Sequence, residues 1–167
     1  VKRPLRDKLV FGDMACQWNK SKFSLEASEI AADYCRKNFH RASFNPIEKP
    51  KEDLLPYYSS IDCLIYILTI PDGLGRVILE AMASGIPFIA LNHSGPKELQ
   101  EKAGKYSGVL IDDISELPDA MNEIINNKDK YIPNIKGQTY VNKHASISYL
   151  RKAILPAILT EGFGYLQ

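Results

Sequence analysis

The sequence has almost no excess of charge: 21 Lys and Arg stand against 20 Asp and Glu, a net charge of +1. A general nucleic-acid surface carries a large basic excess, so that class is set aside, while a local phosphate site needs only a few donors. Cysteine is scarce. Cys16, Cys35 and Cys63 are odd in number and lack metal-type spacing, which argues against a disulfide framework or a zinc site and for a reducing compartment. Cys35 and Cys63 sit in apolar contexts, as small core residues do. Long apolar runs are missing too. The longest lies between Cys63 and Pro71, well short of the ~18 to 20 residues of a membrane span. No signal-peptide pattern opens the chain, so a cytoplasmic or membrane-peripheral location is expected. His40, His93 and His144 are scattered and suggest no joint metal site. Gly12 to Ala15 lacks the Gly-rich turn of a dinucleotide-binding oxidoreductase. The chain starts Val1-Lys2-Arg3-Pro4, without an initiator Met, and is expected to be a piece of something longer. Its basic start reads as a solvated end or a contact for anionic lipid.

What is present suits one domain, residues 1–167, with 45% hydrophobic and 25% charged residues. Short apolar runs alternate with helical patterns, the signature of a parallel sheet covered by helices. Strands are expected at 8–12, 39–44, 62–68, 87–91 and 108–111. Helices are expected at about 21–37, 51–60, 75–84, from Pro96, at 115–126 and at 145–159, the last bent at Pro156. The run Asp62 to Leu68 is nearly all apolar and belongs at the sheet centre. Residues 127–142 are polar and marked by Pro and Gly, so they read as loop.

The chemistry concentrates in Asp72-Gly73-Leu74-Gly75-Arg76-Val77-Ile78-Leu79-Glu80. The segment follows the central strand, where open α/β sheets bind ligands. Gly73 and Gly75 let backbone N–H groups approach a ligand, and the helix start favours an anion such as a diphosphate. Arg76 adds a charged donor. Glu80 has apolar neighbours nearly all round, so burial without partners would cost several kcal/mol. Its carboxylate matches a ribose diol; the plainer reading is that it reaches water or a lysine. Trp18, in a polar loop, either stacks on a base or caps the core.

Asp72 and Glu80, seven residues apart across a Gly-x-Gly turn, followed by Ala81-Met82-Ala83-Ser84-Gly85-Ile86-Pro87, resemble the acidic-x7-Glu signature of family-4-type retaining glycosyltransferases. Asn92-His93-Ser94-Gly95-Pro96-Lys97-Glu98 resembles that family's Gly-Gly-x-x-Glu loop. Tyr57-Tyr58-Ser59-Ser60-Ile61-Asp62 resembles its Tyr-x-x-Ala-Asp lead-in. The resembling block runs from about Leu54 to Leu110. It implies a Rossmann-like parallel sheet with helices on both faces, one half of a GT-B fold, whose acceptor-binding N-terminal domain is not encoded here.

The resemblance also implies roles. Glu80 holds the ribose hydroxyls, Asp72 lies near the donor sugar, and Lys20 (or Lys22) neutralises the diphosphate. Gly73, Leu74, Gly75 and Arg76 line the diphosphate turn. Asn45 lies near the base, and His93, Ser94, Gly95 and Glu98 border the donor pocket. The implied activity is hexosyl transfer from a UDP- or GDP-linked sugar with retention of configuration, with no cofactor and no metal. The implied partners are the nucleotide sugar and an acceptor glycan, lipid or small molecule, held by the missing domain or a partner subunit; the chain alone would be inactive. The alternatives are a non-catalytic nucleotide-sugar-binding half-domain or a sugar-nucleotide epimerase on the same scaffold. The sequence departs from the family at Asp72, where Glu is usual, at Asp13, where Arg is common, and at His93-Ser94, usually richer in Gly.

Overall fold

Strand and helix alternate in the computed structural model, which describes residues 6–14, 23–47, 54–69 and 75–144. The order is β1 (Leu9–Asp13), α1 (Leu25–Lys37), β2 (Ala42–Phe44), α2 (Leu55–Ser60), β3 (Cys63–Tyr66), α3 (Arg76–Ala83), β4 (Phe88–Leu91), α4 (Ser94–Ala103), β5 (Gly108–Ile111), α5 (Leu117–Asn126), α6 (Lys128–Tyr131) and α7 (Ile135–His144). The strands form one sheet in the order β2-β1-β3-β4-β5, and every pair is parallel. The expected Rossmann-like α/β architecture is present. From β1 the chain steps outward to β2, then crosses back to β3 on the other side of β1. Such a reversal opens a crevice outside the carboxyl ends of the two strands, the place where ligands settle in open α/β sheets.

The sheet is buried on both faces, which is why its central strand reads as one apolar run. Cys63 and Ile65 pack with Ala27 and Ala31 of α1 and with Met121 and Ile124 of α5. Leu64 and Tyr66 pack on the opposite face with Tyr58 of α2, Ile78 and Met82 of α3, Leu99 of α4 and Val141 of α7. Two local devices hold the ends of elements. The Ser24 hydroxyl accepts from the Ala27 amide at 3.2 Å and caps α1. Ser24→Ala is expected to lower stability by about 1 kcal/mol, the usual value of such a cap; an unchanged urea midpoint would count against that role. Asp62, only 2% exposed, accepts from the Val10 amide at 2.9 Å and lies 3.6 Å from Arg6, tying the start of β3 to β1.

The structure departs from the sequence pattern in several places. α1 begins at Leu25 and not near residue 21, because Ser24 caps it and Phe23 bridges Leu68. β2 begins at Ala42 because Asn38 closes α1: both its backbone amide and its side-chain amide donate to the Tyr34 carbonyl. Phe39 is left 70% exposed in the turn. α4 begins at Ser94 rather than Pro96, so Ser94 and Gly95 belong to its first turn. The supposed loop at 127–142 holds α6 and α7. Asn134 explains the second of these. Buried just before α7, it accepts from the Gly137 amide at 2.8 Å and donates to the carbonyls of Ile86 and Ser107. A Cβ on Gly137 would meet the Asn134 side chain at 2.5 Å, so the glycine that looked like a breaker lets the helix start. Among the described residues, no helix is long and apolar enough to cross a membrane.

Candidate functional site

The site is built outward from Gly75. This residue ends the connection from the central strand and has φ +67° and ψ 92°, a conformation favouring glycine. A Cβ there would meet the Tyr66 hydroxyl at 2.7 Å. Tyr66 comes from β3 and is itself packed edge-on against Phe23 at 5.5 Å. α3 then starts with no side-chain cap. The Gly75 carbonyl takes the amides of Ile78 and Leu79. The amides of Gly75, Arg76 and Val77 find no acceptor among the described residues. Unpaired N–H groups at a helix start, backed by the macrodipole, favour an anion.

Glu80 follows one turn later. Ile78, Ala81 and Met82 are the buried residues of α3, which leaves Glu80 exposed on another face. Of the two readings the sequence leaves open, exposure is the one found: the helical phase turns the apolar side chains of Ile78, Ala81 and Met82 away from it. Its Oε2 accepts from the Tyr58 hydroxyl at 2.8 Å. Arg76, Leu79, Glu80 and Ala83, with Val141 of α7, line a shallow hollow of about 220 Å³. Arg76 is exposed at the first position of α3.

The next helix repeats the arrangement beside it. α4 follows β4, which is parallel to β3, so both helices begin on the same side of the sheet. Its N-cap is His93, which makes no side-chain capping bond. The buried His93 Nδ1 has no hydrogen-bond partner among the described residues. Gly95 and Pro96 are buried in the first turn. Glu98 lies further along, exposed and ion-paired with Lys102. Asn45 follows β2, exposed, with its side-chain amide donating to the Ser60 hydroxyl at 3.0 Å. Asp13, at the carboxyl end of β1, is 2% exposed and accepts from the Ser28 hydroxyl of α1.

Lys20, Lys22, Asp72, Gly73 and Leu74 lie outside the described residues, as do Cys16, Trp18 and the helix expected at 145–159. The chain on either side of those first positions is described. Phe23 bridges Leu68, and the Ser24 amide donates to the Ile67 carbonyl at 2.9 Å. The return from segment 15–22 is thus fastened to the strand end that leads into segment 70–74. The structure therefore gathers Gly75, Arg76, Glu80, His93 and Gly95 along the carboxyl side of the sheet. Tyr58 and Tyr66 were not singled out by sequence reasoning. The Tyr-x-x-x-Asp lead-in marked Tyr58 only as a prelude to the central strand.

A family model described as "Glycosyl transferases group 1" matches residues 26–127. No curated protein matches the chain by sequence. Among solved structures, HepE from Anabaena, in complex with UDP, superposes with a TM-score of 0.69 at 18% identity, covering 92% of this chain and 49% of that one. WaaG, a glycosyltransferase involved in lipopolysaccharide biosynthesis, gives a TM-score of 0.65 at 13% identity, covering 95% and 48%. The chain thus spans about half the length of these two structures. The C-terminal domain of LpcC, a glycosyl transferase group 1 family protein from Francisella tularensis, gives a TM-score of 0.57 at 16% identity, covering 86% of this chain and 89% of that domain.

Proposed function

Because the chain belongs to the glycosyl transferases of group 1, we propose that it binds a nucleoside-diphosphate sugar and is the donor-binding, C-terminal half of a retaining hexosyltransferase. One observation carries the reading. The start of α3 offers amides that find no acceptor among the described residues, and the exposed Glu80 carboxylate lies one turn further on, so a diphosphate and the ribose attached to it find partners in sequence. Two further points support it: HepE was solved with UDP, and the matched LpcC piece is a C-terminal domain.

In this reading the leaving diphosphate gains negative charge as the glycosidic bond to it breaks. The amides of α3, Arg76 and Lys20 stabilise that charge in place, so no divalent metal is required. Asp72 holds hydroxyls of the donor sugar. His93 and Gly95 border the sugar from the start of α4, with Ser94 and Glu98 beside them, and Asn45 lies toward the base. The acceptor, a glycan, a lipid or a small molecule, is held by a second domain or a partner subunit, so the chain alone binds donor without transferring it. The setting is cytoplasmic, free or at a membrane surface.

Isothermal calorimetry with UDP and GDP tests the reading. One of the two is expected to bind, and Glu80→Ala is expected to weaken it by about 1.5 to 3 kcal/mol, the range for hydrogen bonds to a charged group, which is roughly ten- to a hundredfold in Kd. Absence of heat with both nucleotides, in the unaltered chain, would exclude a competent donor site.

A further inference from the structure

Glu80 is the site's exposed carboxylate, yet one of its oxygens is engaged from below. Tyr58 is 2% exposed, on α2, and its hydroxyl donates to Glu80 Oε2 at 2.8 Å. The ring belongs to the apolar cluster that also holds Ile78, Ala81 and Met82 of α3, and it leans on Tyr57 with centroids 5.9 Å apart. The phenol is therefore fixed by packing that does not depend on Glu80. Burial, reinforced by the Glu80 carboxylate, pushes the Tyr58 hydroxyl well above the ordinary tyrosine range, so it stays a proton donor throughout neutral and mildly alkaline conditions.

A glutamate on a helix surface has three side-chain torsions and, unheld, spends much of its time away from any one geometry. Among the described residues, no hydrogen bond or ion pair other than that from Tyr58 reaches the Glu80 carboxylate. Each carboxylate oxygen has two acceptor positions. The bond from Tyr58 takes one on Oε2, and on this exposed residue Oε1 and the second position of Oε2 take no donor among the described residues. We propose that Tyr58 is a positioning residue: it locks the Glu80 carboxylate in the orientation that accepts both hydroxyls of the nucleotide ribose. The inference rests on the donor-site reading above and adds to it the origin of Glu80's orientation. The ordering entropy is met once, on folding, and not each time a nucleotide binds.

The test compares the full chain with Tyr58→Phe, Glu80→Gln and the double variant. Calorimetry uses whichever of UDP and GDP binds and the 2′,3′-dideoxy form of the same nucleotide. Tyr58→Phe keeps the ring and its packing, and circular dichroism and thermal melting verify the fold. Both single variants are expected to weaken the ribose nucleotide, Tyr58→Phe by roughly tenfold, the order of one hydrogen bond to a charged group. Neither should change affinity for the dideoxy form, and the double variant should lose little beyond Glu80→Gln alone. A Tyr58→Phe that weakens both nucleotides equally, or neither, while Glu80→Gln stays selective for the ribose form, overturns the positioning role and leaves the donor site standing. A Glu80→Gln that fails to discriminate, or a chain that binds neither UDP nor GDP, overturns the donor-site reading and this inference together.

Discussion

Gly75→Ala is expected to remove nucleoside-diphosphate binding and to lower stability by about 2 to 6 kcal/mol. Two costs add. A non-glycine residue at φ +67° and ψ 92° sits where L side chains are rarely found, at about 1 to 3 kcal/mol. The new methyl also meets the Tyr66 hydroxyl at 2.7 Å and its ring carbon at 3.0 Å. That ring is 2% exposed and held edge-on by Phe23, so it gives way only by disturbing the core, and overpacking of this kind costs about 1 to 3 kcal/mol. The turn relieves the clash by moving outward, which carries the amides of Arg76 and Val77 off the position proposed for the diphosphate. Urea denaturation and calorimetry on the same sample separate the two effects. A variant with an unchanged midpoint and full UDP or GDP affinity would show that neither the backbone geometry nor the contact with Tyr66 matters. Loss of binding with an unchanged midpoint would place the whole effect in the turn.

Asp62→Ala is expected to lower stability by about 1 to 3 kcal/mol, the range for leaving a buried donor without its acceptor. The Val10 amide loses its acceptor in the interior of β1. Arg6 loses its ion pair but keeps its bond to the Ser60 carbonyl at 3.2 Å, and it is 38% exposed, so that part of the loss is small. Asp62→Asn separates the contributions: it keeps an acceptor for Val10 and discards the charge. Recovery of most of the stability in Asn, measured by the urea midpoint, assigns the effect to the hydrogen bond; equal damage in both variants would assign it to the ion pair. Because Asp62 joins β1 to the start of β3, its removal loosens the strand pair between which the crevice opens.

Much of the sheet could be read from the chain alone. Strands covered on both faces leave no polar positions, so β3 and β4 stand out as unbroken apolar runs. The turn before α3 was legible because a positive-φ glycine before a helix leaves a mark in the sequence at Gly75. What escaped was decided by contacts between distant residues. Asn134 and Gly137 look like loop residues until Asn134 is seen bonded across to Ile86 and Ser107. The apolar chain neighbours of Glu80 leave its burial open, because exposure follows the helical phase and not adjacency. Tyr58 acts on Glu80 from 22 positions away, a pairing that no local pattern announces. His93 stands out by its place in a motif; that its buried Nδ1 has no partner among the described residues is visible only with the fold.

The bridge from Phe23 to Leu68 sets a rule for anyone who would re-engineer the loops on this edge of the sheet. The segments at 15–22 and 70–74 adjoin a common fastening, so a graft that changes the length of one strains the mooring of the other. Swaps between related chains should therefore move the two together, keeping Phe23 and Leu68 as the fixed seam, while the helices beyond β4 stay untouched.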